Sequence, residues 1–407
     1  MIPKEGKNIF KLEKLPTGWK ACLLNQAVKI NGGSQPPKTS FKSEPEDGYV
    51  RLVQIRDYKS DRYRTYVPEK STKKFCTAED IMIGRYGPPV FQILRGIAGA
   101  YNVALMKTEP LFNLDRDYLF YLLCSLPLQN FVIENSKRTS GQTGVNLKLL
   151  NSCIVPLPPL ATQKKIAAIL DAADEHRTKT AALIDQYTAL SQSLFLEMFG
   201  DPVKNEKGWE VKELVDLTSK IGSGATPRGG KESYKEEGIS LIRSLNIYDN
   251  RFKYKKLAFI DDVQAKKLSN VEVQEGDVLF NITGASICRC TIVPNDVLPA
   301  RVNQHVSILR PKVELLNRHY LNYLLVSGNT KLHLLGIGSS GGAIMEAITK
   351  ETLQNFKTLL PPIILQNQFA ERVQAIEVQK KQAEDTLVKA EELFQSLLQR
   401  AFKGELM

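Results

Sequence analysis

The chain has 407 residues, a formal net charge of +11, 43% hydrophobic and 24% charged residues, enough for two or three domains with proper cores and typical of a soluble globular protein. No run of about 18 apolar residues occurs and residues 1–20 are polar, which argues against a membrane span or a secretory signal. The six cysteines show neither disulfide-like nor zinc-like spacing, so a reducing cytoplasm is the expected compartment.

The first 155 residues read as a mixed α/β globule. Short β-branched and aromatic runs at 50–55 and 81–86, separated by Gly, Pro and Asn, predict strands, and 118–123 predicts a short helix. This block holds 23 Lys+Arg against 14 Asp+Glu.

Residues 156–205 have a different rhythm. Pro158-Pro159 marks a start and Gly200 a stop. Between them Ile166, Ile169, Ala173, Leu183, Tyr187, Leu190 and Leu194 alternate by threes and fours, as in a coiled coil. A helix from Gln163 to Phe199 would be about 55 Å long at ~1.5 Å per residue. Such a one-striped helix needs a partner.

Residues 206–358 repeat the first block loosely. Gly208-Trp209 matches Gly18-Trp19, 277–280 matches 80–83, and 320–325 matches 118–123. The clearest strands are 278–282 and 306–309. Residues 359–407 then repeat the helix without a gap: Pro158 and Pro361, Gln163 and Gln366, Phe199 and Phe402 are all 203 apart. Phe369, Ile376, Ala383, Ala390, Leu393 and Leu397 form the second stripe. The duplicate helix is the obvious partner, and antiparallel pairing would make the molecule pseudo-twofold with a globule at each end. His176 and Gln379 interrupt both seams, either as a polar layer that sets register or because the seam is partly exposed there.

All the positive excess lies in the globules, since 206–358 adds 21 Lys+Arg against 17 Asp+Glu while each helical segment is slightly acidic. A basic surface suggests a polyanion, nucleic acid first. Enzyme motifs fail. Gly338-Ser339-Ser340-Gly341-Gly342 satisfies Gly-x-Ser-x-Gly, but no histidine follows His333. Glu210-Val211-Lys212 with Asp201 imitates part of a nuclease metal site, yet its repeat counterpart Lys20-Ala21-Cys22 keeps neither group. The 224–231 stretch has Gly230 where a phosphate-binding loop needs lysine. Base edges are read instead by Arg, Asn, Gln, Ser and Thr on rigid turns. Matching turns carry such residues: Gln54 and Arg56 against Ser244 and Asn246; Arg85-Tyr86 against Thr283 and Ser286; Asn102 against Asn303-Gln304-His305; Ser140 and Gln142 against Ser339 and Ser340; Arg243, next to Ser244, is a further candidate.

The tandem Leu-Pro-Pro-Leu-x-x-Gln-x-x-Ile-Ala at 157–167 and Leu-Pro-Pro-Ile-x-x-Gln-x-x-Phe-Ala at 360–370, with Met-Phe-Gly-Asp-Pro at 198–202, resembles the specificity subunit of type I restriction-modification enzymes. The resemblance covers essentially the whole chain. It implies an α+β fold with two tandem mixed α/β target recognition domains (1–155 and 206–358), separated by a central spacer helix (156–205) and a C-terminal helix (359–407) in an antiparallel coiled coil. It further implies a chain that is not catalytic, reads a bipartite, asymmetric double-stranded DNA target, and assembles two modification (methyltransferase) subunits and restriction (translocase and nuclease) subunits. Ile166, Ile169, Leu183, Tyr187, Leu190, Leu194, Phe369, Ile376, Leu393 and Leu397 are the expected assembly residues. S-adenosylmethionine, ATP and Mg would belong to the partner subunits, with no cofactor and no metal in this chain. The gap between half-sites is expected to follow the coiled-coil length, and Leu190→Asp or Leu393→Asp is expected to place a charge in the seam. The rival readings are a self-contained nuclease or methyltransferase and a coiled-coil scaffold with no DNA role.

Overall fold

The computed structural model describes residues 2–111, 113–136, 144–227, 229–336 and 347–406. They form two compact units. Unit 1 comprises 1–180 and 385–407, and unit 2 comprises 181–384. The division cuts both long helices, so each unit holds one globular lobe, half of one helix and half of the other.

Both lobes are built to one plan. In unit 1 a four-stranded antiparallel sheet runs in the order Val28–Gly32, Leu105–Pro110, Met82–Gly84, Ile93–Leu94. The order in unit 2 is Thr218–Ser223, Val306–Pro311, Val278–Asn281, Cys290–Ile292. A second four-stranded sheet is mixed. Its parallel pair is Tyr49–Val53 with Gly99–Tyr101 in unit 1 and Ile239–Ile242 with Ala300–Val302 in unit 2. A ribbon closes each lobe where its chain enters and leaves, Lys20–Leu23 on Ile154–Leu157 and Glu210–Glu213 on Lys357–Leu360. The expected strands and short helices are present, the latter as Arg116–Cys124 and Arg318–Val326.

The long helices span Leu160–Phe199 and Ile363–Ala401. Their shared Leu-Pro-Pro-x-x-x-Gln start has a physical reason. Gln163 is buried; its Oε1 accepts from the Asp115 backbone N–H at 2.8 Å and its Nε2 donates to the carbonyls of Pro158 (2.8 Å) and Asn113 (2.9 Å). Gln366 repeats this with Asn317 N–H (2.8 Å), Pro361 O (2.8 Å) and Leu315 O (3.1 Å). One amide thus satisfies the backbone that proline and the helix start leave open, and ties each helix to its lobe.

Within each unit the helix halves pack antiparallel. In unit 1 Ile166 and Leu170 share a core with Phe394, Leu398 and Phe402, and Arg177 pairs with Glu391 at 3.2 Å. In unit 2 Phe195 and Phe199 lie 5.7 and 5.3 Å from Phe369. The lobes join the same cores through paired tyrosines. Tyr118 lies edge-on to Phe402 at 5.4 Å, and Tyr320 to Phe199 at 4.7 Å.

This packing corrects the stripe read from the sequence. Ile166 and Phe369 are buried, whereas Tyr187, Leu194, Ile376 and Leu397 are half-buried. Ile169, Leu183, Leu190 and Leu393 are exposed, the last two at 51% and 52%. The buried line runs one residue later, through Leu170, Ser191, Phe195, Phe394 and Leu398. The reason is that each helix covers a lobe as well as its partner, so the apolar face turns toward the lobe tyrosines rather than following a strict two-helix seam. His176 and Gln379 are both exposed, so neither forms a buried polar layer.

No helix among the described residues is long and apolar enough to cross a membrane. Cys288 and Cys290 are core side chains, and burial pushes the Cys288 thiol up to about 11. A neutral buried thiol is a poor metal ligand.

Candidate nucleic-acid interface

Four chain segments converge at one end of each lobe, and backbone pairing dictates it. The strand register puts Gly32 opposite Met106 and Gly84 opposite Leu105, so the turns after Gly32, before Leu105 and after Gly84 leave the sheet on the same side. Gly33 seals the first two turns. A Cβ there would sit 2.0 Å from the Asn102 carbonyl oxygen, and at Gly224 it would sit 1.6 Å from that of Val302. Only glycine permits this backbone approach. The turn after the parallel strand arrives at the same place, since Asn102 N–H donates to Val53 O at 3.2 Å and Asn303 N–H to Ile242 O at 3.0 Å.

These bonds fix the correspondence between lobes. Arg85 N–H donates to Ala104 O and Ile282 N–H to His305 O, while Tyr86 bridges Gly144 and Thr283 bridges Ala347. Hence Arg85 corresponds to Ile282, Tyr86 to Thr283 and Ala104 to His305. In the turn after the parallel strand, Gln54 N–H donates to Asp57 Oδ2 (2.9 Å) and Arg243 N–H to Asn246 Oδ1 (3.1 Å). Gln54 therefore corresponds to Arg243 and Asp57 to Asn246, one position away from the pairing of Gln54 with Ser244 read from the sequence.

Three of the asparagines expected to read bases are structural instead. Asn246 is fully buried and its Nδ2 donates to Lys253 O at 2.8 Å. Asn102 and Asn303 are buried too; each accepts from the N–H two residues on, Ala104 at 3.1 Å and His305 at 3.2 Å. Asx turns of this kind commit the side-chain oxygen of Asn102 and Asn303 to closing the loop. Ser140, Gln142, Ser339 and Ser340 lie outside the described residues.

What remains differs between the lobes. Unit 1 brings together half-buried Gln54, exposed Arg56, and Arg85 with Tyr86. The Arg85 guanidinium lies 5.2 Å from the Tyr86 ring centroid and has no ion pair among the described residues. Unit 2 brings together Arg243, Ser244, Thr283, Ser286 and Gln304. Buried Asn281 links two of them, its Nδ2 donating to Ser244 O (3.0 Å) and Ser286 Oγ (3.1 Å).

Sequence reasoning missed a feature that recurs in both lobes. Beside the turn that follows the parallel strand, a tyrosine lies between two cations. In unit 1 it is Tyr63, 57% exposed, with Arg62 at 5.3 Å and Arg56 at 6.0 Å. In unit 2 it is Tyr248, with Arg289 at 4.4 Å and Lys253 at 5.1 Å. Those cations also pull the Tyr248 hydroxyl below its usual pKa, Lys253 most strongly. Arg62-Tyr63-Arg64 was a visible signal; the Tyr248 grouping was not, because Arg289 comes from the distant turn before Cys290–Ile292. Tyr63 and Arg56 also line a cleft of about 840 Å³ in which Lys42, Arg56, Arg62 and Arg64 face Glu44 and Asp61. Each site is thus a polar turn cluster flanked by a cation-bracketed ring, a pattern suited to an anionic backbone with readable edges. The residues of the imitated nuclease site are otherwise engaged: Lys212 pairs with Glu210 at 3.2 Å, and Asp201 caps the N–H groups of Val203 and Lys204.

Residues 16–186 and 206–387 each match the family described as type I restriction modification DNA specificity domain. The MjaVIII type I restriction enzyme specificity subunit of Methanocaldococcus jannaschii is 24% identical, over 95% of this chain and 93% of its own length. The EcoBI specificity subunit of Escherichia coli is 24% identical, over 98% of this chain and 89% of its own. Among solved structures, the type I restriction-modification S subunit from M. genitalium shares the fold with a TM-score of 0.58 at 15% identity, covering 97% of this chain and 99% of that one.

Proposed function

The chain belongs to the type I restriction modification DNA specificity family, as a non-catalytic specificity subunit that recognises DNA, and from that premise we propose that its two lobes read different halves of a bipartite, asymmetric target. One observation carries the proposal: the same turns converge in both lobes, but their outward side chains differ. Arg favours guanine and Asn or Gln adenine in the major groove, so unlike residues on one scaffold select unlike bases. The reading residues are Gln54, Arg56, Arg85 and Tyr86 in unit 1, and Arg243, Ser244, Thr283, Ser286 and Gln304 in unit 2. Tyr63 and Tyr248 with their bracketing cations recur in both lobes, as contacts to a sequence-independent phosphate backbone would.

Leu190 and Leu393 hold equivalent positions in the repeat and are equally exposed. Two matching apolar sites fit two copies of one partner, the modification subunit, with restriction subunits joining that assembly. S-adenosylmethionine, ATP and Mg act on those partners, in the cytoplasm. The test is methylome sequencing of a host carrying the assembled complex in which residues 1–155 come from another family member. One half-site should change and the other persist. A change in both, or a continuous palindromic target, refutes the division of labour. The purified chain alone, given DNA, Mg and S-adenosylmethionine, should neither cleave nor methylate.

A further inference from the structure

The turn that carries Gln54 and Arg56 in unit 1 is held by a hydroxyl on the neighbouring chain segment. Thr65 is 7% exposed; its Oγ1 accepts from Arg56 Nη2 at 3.1 Å and from Gln54 Nε2 at 3.3 Å, and its O–H points to the Tyr63 carbonyl at 3.5 Å. A hydroxyl has one hydrogen and two lone pairs, so its whole capacity is spent inside the lobe. Unit 2 is built differently at this place. Arg51 lies opposite Tyr66 and Ser240 opposite Phe259, and Gln54 and Arg243 each stand three residues beyond. Thr65 therefore corresponds to Ala258, Tyr63 to Lys256 and Arg56 to Leu245. Arg243, longer than glutamine, reaches the Lys256 carbonyl directly through Nη2, and its guanidinium lies 5.1 Å from the Tyr234 ring centroid. Leu245 has no donor to place. The hydroxyl is present in the lobe whose two side chains use it and absent from the lobe whose side chains do not.

Resting on the DNA-reading role proposed above for Gln54 and Arg56, we infer that Thr65 is a positioning residue for the unit 1 half-site. It reads no base itself. Its hydroxyl fixes the direction in which the Gln54 amide and the Arg56 guanidinium project, so base preference in unit 1 depends on three side chains rather than on the two that face the DNA. The physical reason is preorganisation. A long side chain that rotates freely adjusts to several base edges and loses that freedom on binding; one held in advance rewards a single edge and spares the cost. A merely structural role for the hydroxyl is disfavoured by the other lobe, because Ala258 stands at the same place, buried, in a lobe of the same plan. The fold itself does not need the hydroxyl; the side chains that lean on it do.

The experiment uses the full chain assembled with its modification subunits, bound to a panel of duplexes each changed at one base pair, with a salt titration of the affinity. Gln54→Ala and Arg56→Ala first mark the base pairs that those side chains read. Thr65→Val keeps the shape and removes the hydroxyl; Thr65→Ser keeps the hydroxyl. Thr65→Val should lose about threefold or more of discrimination at the marked base pairs, leaving the other half-site and the salt slope unchanged, and Thr65→Ser should retain it. In a chain already carrying Gln54→Ala and Arg56→Ala, Thr65→Val should change nothing further, because a positioning residue acts only through the groups it positions. Full discrimination in Thr65→Val would make the hydroxyl incidental. An equal loss in the double-alanine background would make Thr65 a reader or a general support of the lobe, and a uniform loss with a shallower salt slope would assign the cluster to phosphate; each overturns the inference. Should valine disturb the lobe, Thr65→Ala makes the same comparison with the residue that unit 2 carries there, and unfolding of both would also count against the inference. Failure of the underlying reading looks different: Gln54→Ala and Arg56→Ala would mark no base pair although wild type discriminates, and the inference would fall with it.

Discussion

Replacing Gln366 by methionine isolates the bond that joins a helix to its lobe. Methionine is close to glutamine in length and helix propensity, so volume and helicity are conserved while three hydrogen bonds vanish. They are the bonds to Asn317 N–H at 2.8 Å, Pro361 O at 2.8 Å and Leu315 O at 3.1 Å, around a side chain with no exposed surface. Each buried polar group left unpaired costs about 1–3 kcal/mol. The two carbonyls fall at the low end, because each keeps a second lone pair for rescue, so the total is about 3–5 kcal/mol. That is a large share of the ~5–15 kcal/mol that holds a domain together. The chain has two tryptophans, one per unit. Trp209 donates its indole N–H to Phe199 O at 2.8 Å, so in a Trp19→Phe background its fluorescence in urea reports unit 2. Gln366→Met should lower the unit 2 midpoint with little change in slope. Gln163→Met, followed through Trp19 in a Trp209→Phe background, should do the same to unit 1. A loss below about 1 kcal/mol in both would mean that the amide is incidental and that apolar packing alone anchors the helices.

Leu190→Asp and Leu393→Asp should change the unfolding free energy of the free chain by no more than about 0.5 kcal/mol, because both sites are exposed, yet weaken capture of the modification subunits in a pull-down. Phe199→Ala removes a ring packed on Tyr320, Phe195 and Phe369 and should cost about 3–5 kcal/mol in urea unfolding. Burial, and then the charge of Arg318, lower the pKa of His319 to about 4 from 6.5. The unfolded chain therefore binds a proton that the native one refuses, and stability should fall as pH drops from 6.5 toward 4 while staying flat above, by up to about 3 kcal/mol. Glu377, whose carboxyl is raised above 4.5 by burial, acts in the opposite sense; the difference between wild type and His319→Gln across that window isolates the histidine. Gly224→Ala drives a methyl into the Val302 carbonyl and should unseat the unit 2 turns, seen as lost DNA discrimination at that half-site in a binding panel.

The repeat, the two lobes and the long helices were determined by the sequence alone, since Pro-Pro followed by Gln and a gapless 203-residue offset act through local chemistry. Proline stops a strand, glutamine closes the backbone it leaves open, and a one-sided apolar stripe demands a partner wherever it occurs. The convergence of Gln54, Arg85 and Asn102 was partly legible too, because matching turns recurred in both blocks. Which face each helix buries was decided only in three dimensions. A stripe read along one helix cannot register that a lobe tyrosine packs from the side, and that shifted burial from Leu190 to Ser191 and from Leu393 to Phe394. The buried asparagines were lost for the same reason. Asn246 and Asn303 have the composition of base readers, but whether an amide faces solvent or closes its own turn depends on the chain that covers it. The Tyr248 bracket takes Arg289 from the turn before the strand Cys290–Ile292, far from Tyr248 in sequence. Contacts made by side chains on separate segments leave no spacing for a linear pattern to hold; only strand register brings them together.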